Sequence, residues 1–140
     1  MFKGFSDHSR IWIYGFERTL SIIDKKIVIR YLDHFIKKWH SYADPIRGVY
    51  EILYDQFVII VAETSISGYS IDSVTKVFKR LKQDYQIDAL NHDLVYYKDA
   101  NGVYALSRND FQTLLNVDKI DHDTIVFNLT LTMLGVLRAG

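Results

Sequence analysis

The chain has 140 residues, of which 49% are hydrophobic, 14% aromatic and 24% charged, and its formal net charge is zero. A chain of this length and composition folds around one buried core, and we expect a single domain over residues 1–140. It contains no Cys, which excludes a disulfide framework, a thiolate nucleophile and a cysteine-ligated metal site.

The distribution of apolar residues predicts a cytoplasmic protein that does not enter a membrane. The N-terminus contains no continuous apolar stretch of the kind that forms a secretory signal. The longest apolar segment, residues 125–137, is interrupted by polar residues and is shorter than the ~20 residues of a membrane-spanning helix. Charge is uneven along the chain, with 13 basic and 9 acidic groups in residues 1–83 and 4 and 8 in residues 84–140.

The first two predicted elements are a strand and an amphipathic helix. The segment Arg10 to Phe16 alternates aliphatic and aromatic residues, which is typical of a strand. Ser21, followed three residues later by Asp24, forms a variant of the capping box and marks a helix start. Apolar residues then recur at spacings of three and four as far as Trp39, so we expect this helix to pack on a sheet.

A hairpin and a second helix follow. Two β-branched and aromatic runs within Tyr50 to Glu63 flank a polar break at Asp55-Gln56, which predicts a tight hairpin. The second run, Phe57 to Ala62, is apolar at every position, as in a central strand that is covered on both faces. Ser70 is the predicted N-cap of a second helix, whose apolar stripe continues to Tyr85.

The C-terminal part predicts shorter elements. Asn101-Gly102 joins two short strands, Leu94 to Lys98 and Val103 to Leu106, as a hairpin. Asn109 is a predicted cap for a short helix, and Ile125 to Leu129 is a final strand or an apolar segment before a C-terminal turn of helix.

The order of these elements predicts an α+β fold. Strand, helix, strand, strand, helix, strand is the order of a ferredoxin-like split β-α-β sandwich. We therefore expect a mostly antiparallel sheet with two helices on one face, extended by a C-terminal hairpin and helix.

Several kinds of enzyme motif are missing from the sequence. The seven glycines are isolated, and neither a Walker-type loop nor a dinucleotide-binding Gly-x-Gly-x-x-Gly is present. The five histidines show no His-Glu-x-x-His pairing. We therefore expect no cofactor and no metal, assign no catalytic residue, and favour a non-enzymatic protein.

The segment Ser67-Gly68-Tyr69-Ser70-Ile71-Asp72-Ser73 is the candidate site for a small anionic ligand. A glycine-bearing turn into a helix N-terminus gathers free N–H groups and the positive end of the helix dipole. The same residues fit an ordinary helix start, so both interpretations stay open. The candidate ligand-binding residues are Gly68, Ser70, Asp72 and Ser73, with Glu63 from the preceding strand and Arg10 nearby.

Aromatic residues on the predicted strands indicate an interaction surface, because large exposed apolar faces are usually covered by something. The leading hypothesis is a non-enzymatic domain that forms a homo-oligomer or binds a protein partner through this sheet face. Ile11 to Phe16 resembles the first RNA-contacting strand of an RRM, but Asp55 to Val61 lacks the glycine and the basic opening of the matching strand, so nucleic acid is not expected. The candidate interface residues are Trp12, Tyr14, Tyr50 and Tyr54.

Three segments together resemble a family of short, uncharacterised proteins from Bacteroidetes: Arg10 to Tyr14, Phe35 to Trp39 and Ser67 to Ser73. The resemblance covers about the first 115 residues. Members often carry the automatic label of an ABC transporter ATPase, which this sequence contradicts because it has no P-loop. Many members have Cys after the motif glycine, whereas this chain has Tyr69, so the resemblance implies no thiol chemistry here.

Overall fold

The computed structural model describes residues 2–41, 44–63, 68–116 and 124–139. Its helices and antiparallel sheets make the fold α+β, as predicted. None of the helices described is both long enough and apolar enough to cross a membrane. The elements in chain order are β1 (Arg10–Gly15), α1 (Ile22–Lys38), β2 (His40–Ser41), β3 (Asp44–Pro45), β4 (Gly48–Leu53), β5 (Phe57–Ala62), α2 (Gly68–Tyr85), β6 (Leu94–Asp99), β7 (Gly102–Ser107), α3 (Arg108–Asn116), β8 (Ile125–Val126) and α4 (Leu134–Ala139).

The main sheet has the strand order β1-β5-β4, and both pairings are antiparallel. Every residue of β5 is buried, which confirms the prediction of a central strand covered on both faces. The hairpin turn contains Tyr54 and Asp55 in left-handed conformations, at φ 55° and 52°, and the Gln56 N–H donates to the Leu53 carbonyl at 3.0 Å. Tyr54 therefore belongs to the turn, whereas the sequence predicts it on a strand.

Both long helices pack on one face of the main sheet, as predicted. The capping box at the start of α1 is present: the Ser21 hydroxyl accepts a hydrogen bond from the Asp24 N–H at 3.1 Å, and the Asp24 carboxylate accepts one from the Ser21 N–H at 3.3 Å. The core beneath the helices unites side chains from α1, α2 and β5 at its centre, namely Val28, Leu32, Val74, Phe78, Leu81, Val58 and Ile60.

The two ends of the chain cover the opposite face of the sheet. Phe5 and Leu134 pack there against Ile11, Ile59 and Val61. Backbone hydrogen bonds fix α4 beside β1, since the Leu134 N–H donates to the Ser9 carbonyl at 2.9 Å. The main sheet is therefore buried on both faces.

A second antiparallel sheet, with the order β7-β6-β8, lies apart from the main sheet. The four-stranded ferredoxin-like sheet that the sequence predicts is not confirmed, because β6 belongs to this second sheet. The outer edge of β1 carries one isolated bridge, between Arg10 and Met133. The Tyr96 ring of β6 packs instead against Gly15, where an added Cβ would lie 2.5 Å from the ring.

Two C-terminal boundaries differ from the predictions. Ser107, and not Asn109, provides the cap of α3, because its hydroxyl accepts a hydrogen bond from the Asp110 N–H at 3.1 Å and it directly precedes the first helical residue. Strand β8 contains only Ile125 and Val126, so the strand predicted as far as Leu129 is shorter. The short β2–β3 pair was not predicted.

Candidate functional site

The predicted anion-binding loop contributes one described side chain to a cavity. Ser67 and the side chain of Ser70 lie outside the described part of the structure, and only the backbone of Gly68 is described. Because α2 begins at Gly68, Ser70 lies in its first turn, and the prediction that it is the N-cap is wrong. Asp72 is exposed, whereas Ser73 lines a groove between the two long helices.

Glu63 and Arg10, the other two predicted ligand-binding residues, each contact another side chain. The Glu63 carboxylate forms an ion pair with Arg47 at 3.3 Å. The Arg10 guanidinium lies over the Trp12 ring, 5.5 Å from its centroid. Neither residue lines the groove that contains Ser73.

Trp12 and Tyr14, predicted on an exposed aromatic sheet face, lie beneath the helices instead. Tyr14 stacks on Phe78 of α2 with ring centroids 3.9 Å apart. Burial raises the pKa of Tyr14, and a hydrogen bond with Thr75 partly offsets this shift. Trp12 meets Trp39 edge to face at 5.6 Å. The chain's own helices therefore cover this aromatic surface.

Tyr50 and Tyr54 also do not extend one exposed face. The Tyr50 hydroxyl donates a hydrogen bond of 2.5 Å to Asp33 of α1, and burial followed by the nearby Asp33 carboxylate raises its pKa. Tyr54 is 52% exposed at the hairpin turn, where the Lys98 ammonium lies 5.1 Å from its ring centroid. Of the four predicted interface residues, only Tyr54 is mostly exposed.

A groove of about 830 Å³ lies between α1 and α2, and we call it the α1–α2 groove. In the middle of α1, Arg30 donates a hydrogen bond to Tyr85 at 3.1 Å and the next residue, Tyr31, donates to Asp84 at 3.4 Å. The order of these contacts is that of two antiparallel helices. The groove follows two to three turns of each helix and is therefore about 15 Å long. Its lining residues are Arg30, Tyr31, His34, Phe35, Lys38 and Trp39 of α1, and Ser73, Lys76, Val77, Lys79, Arg80, Gln83 and Asp84 of α2.

Apolar and aromatic side chains form part of the groove's lining. Tyr31, Phe35 and Val77 are half-buried and pack against the core below them. The Phe35 ring leans on the buried Trp39 ring with centroids 5.0 Å apart. Tyr31 meets Tyr85 edge to face at 5.7 Å. These rings are held in place by the protein, so they provide a preformed apolar surface.

The charged lining of the groove is strongly basic. Five cationic side chains line it against one carboxylate, that of Asp84. Lys76, Lys79 and Arg80 are exposed and form no ion pair with any residue in the described part of the chain. Arg30 is oriented by a 3.1 Å hydrogen bond to the Tyr85 hydroxyl. Lys76, Lys79 and Arg80 therefore present positive charge that no ion pair with a described residue neutralises.

The basic groove was not predicted from the sequence. A usable signal exists, because Arg30, His34 and Lys38 recur every four residues, as do Lys76 and Arg80. Residues four apart lie on the same side of a helix. The missing information is that the two basic sides meet, which depends on how α1 and α2 pack together.

Neither a metal site among the described residues nor a match to a known protein indicates what this groove binds. Among the described residues, no group of three His, Asp or Glu side chains could hold a metal ion. Comparisons of the chain with protein-family models, with curated proteins and with solved structures find no match. The resemblance to a Bacteroidetes family therefore stays a prediction, and the function has to be argued from the groove itself.

Proposed function

We propose that this protein binds a small organic anion in the α1–α2 groove. The observation that carries the proposal is the meeting of five cationic side chains over half-buried aromatic and aliphatic residues in one groove of about 830 Å³. Ligand sites for small molecules commonly have this size and combine an apolar lining with a few polar groups.

The charges favour an anion for an energetic reason. Lys76, Lys79 and Arg80 lie within two turns of one helix, and each like-charged pair at this spacing costs a few tenths of a kcal/mol. A bound phosphate or carboxylate changes this repulsion into attraction. Hydrogen bonds between charged partners contribute about 1.5–3 kcal/mol each, so two or three such contacts support specific binding.

The aromatic residues favour a ligand with an apolar or planar part. Covering apolar surface contributes about 25 cal/mol for each Å² removed from water. Tyr31 and Phe35 are held rigidly by Tyr85 and Trp39, so little side-chain entropy is lost when a ligand covers them. An anion that carries a ring should therefore bind more tightly than inorganic phosphate.

The groove also extends the earlier hypothesis of an anion at the start of α2. Ser73 and Lys76, in the second and third turns of that helix, line one end of the groove. The Lys76 ammonium attracts negative charge at this end. We place the anionic group of the ligand at this end and its apolar part towards Phe35 and Tyr31.

We further infer that the main sheet and its two helices are a ferredoxin-like split β-α-β unit whose fourth strand is displaced. The support is the position of β5 between β1 and β4, with both helices on one face. In this interpretation β6, which follows α2, takes the place of the fourth strand in the chain but pairs with β7 and β8.

Isothermal titration calorimetry at low salt tests anion binding with three probes that separate the charge from the ring: 1-naphthyl phosphate, inorganic phosphate and 1-naphthol. We expect the affinity to fall in that order. In the variant Lys76→Glu with Arg80→Glu, the affinity for naphthyl phosphate should fall about tenfold or more, because two charge-assisted contacts are lost.

The matched control makes an equal change in net charge at two residues outside the groove. Lys26 and Lys37 are exposed residues of α1 that do not line it. Both double variants are compared at 0.1 M salt, where exposed charges farther apart than ~10 Å are largely screened. Lys26→Glu with Lys37→Glu should then lower the affinity much less than the groove variant, because neither side chain lines the groove. Equal losses in both double variants, or no binding of naphthyl phosphate, would contradict the proposal.

A further inference from the structure

A second cavity, of about 410 Å³, lies between β1 and β6, and we call it the β1–β6 crevice. It shares no lining residue with the α1–α2 groove. One wall is Ile13 to Gly15 of β1, and Tyr96 of β6 contributes to the other. The connection after β8, through Thr130, also lines the crevice.

The crevice opens along a part of the β1 edge that lacks a strand partner. The Ile11 N–H points outward, because it donates to the Thr132 carbonyl at 3.0 Å, whereas the Phe16 N–H donates inward to Gln56 at 2.9 Å. Backbone groups alternate in direction along an antiparallel strand, so those of Ile13 and Gly15 also point outward. On that side, neither residue has a hydrogen bond to another described part of the chain.

The Tyr96 hydroxyl is a further polar group without a partner among the described residues, and it lies beside the same edge. Tyr96 is only 4% exposed, and its hydroxyl has no hydrogen-bond partner among the described residues. This oxygen lies 2.8 Å from the position that a Cβ at Gly15 would occupy. A buried polar group without a partner costs about 1–3 kcal/mol, and native structures rarely keep one.

The chain itself stops short of filling this edge. The Arg10–Met133 bridge brings the C-terminal segment alongside the start of β1. The Asn128 side chain then accepts hydrogen bonds from the Thr130 N–H at 2.9 Å and from the Thr130 hydroxyl at 2.5 Å. Residues 128–130 line the crevice beside this edge but form no backbone hydrogen bond with Ile13 or Gly15. An edge of three residues, about 10 Å long, is therefore without a strand partner among the described residues.

We propose that the β1–β6 crevice binds a short extended peptide segment, which adds to β1 as a further strand. A peptide main chain offers alternating carbonyl and N–H groups at strand spacing, which is the complement of the outward groups of Ile13 and Gly15. The Tyr96 hydroxyl can donate to a carbonyl of the same segment. The proposal does not depend on anion binding in the α1–α2 groove.

The test is NMR of ¹⁵N-labelled protein titrated with acetyl-Leu-Thr-Leu-Thr-amide. This probe has the sequence of residues 129–132, which run up to the start of β1. Its control is the same peptide N-methylated at all four residues, which removes the N–H donors of both peptide edges. We expect the Ile13 and Gly15 amide signals to shift and their hydrogen exchange to slow about fivefold or more, in line with protection of newly paired amides.

The control peptide and one variant complete the comparison. The methylated peptide should bind about tenfold more weakly or worse, because it loses two main-chain hydrogen bonds of about 0.5–1.5 kcal/mol each. Tyr96→Phe removes only the hydroxyl and should weaken the unmethylated peptide about threefold or more. The comparison of the two peptides needs no variant, so it decides the proposal even if Tyr96→Phe does not fold.

Several results would overturn the proposal. Slow hydrogen exchange of the Ile13 and Gly15 amides in the free protein would mean that they already donate hydrogen bonds to ordered water or to the chain's own 128–131 segment. Equal binding of the two peptides would exclude strand addition, as would no binding at millimolar peptide. Shifts confined to Tyr50 and Ile52 would place the peptide on β4, the other edge strand of the main sheet.

Discussion

Replacing Gly15 by Ala should destabilise the protein by forcing the second sheet away from β1. A Cβ at this position would lie 2.5 Å from Tyr96 Cζ and 2.7 Å from its Cε2. Ordinary carbon contacts are about 3.5–4.0 Å, so the ring must move by about 1 Å. Tyr96 is buried and packs edge to face on Phe57 at 5.1 Å, which leaves the ring little room to move.

We expect the free energy of unfolding to fall by about 1–3 kcal/mol, the usual cost of overpacking a core. For a chain of this size, thermal unfolding should shift down by about 3–4 °C for each kcal/mol. Circular dichroism during urea and thermal unfolding measures both quantities.

A double-mutant cycle provides the control. In a Tyr96→Ala background the ring is absent, so Gly15→Ala should be neutral, or stabilising by about 0.5–1 kcal/mol through the lower chain entropy of Ala. If Gly15→Ala costs the same free energy with and without the Tyr96 ring, the packing of β6 on β1 described above is wrong.

Two further predictions concern buried polar groups. Gln56→Leu should lower the free energy of unfolding by about 1–3 kcal/mol. The buried Gln56 amide donates a hydrogen bond to the Phe16 carbonyl and accepts one from the Thr19 hydroxyl, and both are lost. As a control, Gln112→Leu on exposed α3 should change the free energy of unfolding by less than about 0.5 kcal/mol. Burial, reinforced by two nearby carboxylates, raises the pKa of the Tyr96 hydroxyl. Because the hydroxyl ionises more easily in the unfolded chain, its contribution to the free energy of unfolding is complete below about pH 10 and is lost as the pH rises further. Urea unfolding between pH 8 and 11 should therefore show a shallower alkaline loss in Tyr96→Phe than in the wild type, and parallel curves would contradict the raised pKa.

Local sequence patterns predicted the parts of the fold that depend on neighbouring residues. The Ser21 capping box needs only residues three apart, and it is present. The unbroken apolar run of β5 predicted a strand covered on both faces, and every residue of it is buried. The apolar stripe of α1 likewise predicted the face that packs on the sheet, where Val28 and Leu32 are buried.

Tertiary pairing could not be predicted in the same way. The Asn101-Gly102 turn predicted the pairing of β6 with β7, which is present. The element order matches a four-stranded sheet, but nothing local shows whether the other edge of β6 pairs with β1 or with β8. The contact of Tyr96 with Gly15 joins residues far apart in sequence. The same limit applies to the aromatic strand, because alternation predicts two faces for Trp12 and Tyr14 but not which face the helices cover.

The candidate site, too, could be predicted only where it depends on a single sequence segment. The sequence singled out Ser73, which lines the α1–α2 groove, but not the basic residues that line the groove with it. The sequence also predicted Glu63 and Arg10 as ligand-binding residues. Glu63 contacts Arg47 instead, and Arg10 contacts the Trp12 ring. The α1–α2 groove exists only because two basic helix faces meet, and that meeting is a property of helix packing rather than of either sequence segment.

The most direct test of anion binding in the α1–α2 groove is the location of the bound probe. Heteronuclear NMR of the labelled protein, titrated with 1-naphthyl phosphate at low salt, reports this location residue by residue. We expect the largest amide shifts at His34, Lys76 and Arg80, and we expect them to shrink as salt is added. Shifts that are as large at Lys26 and Lys37 as in the groove, or that are confined to α4, would contradict the account.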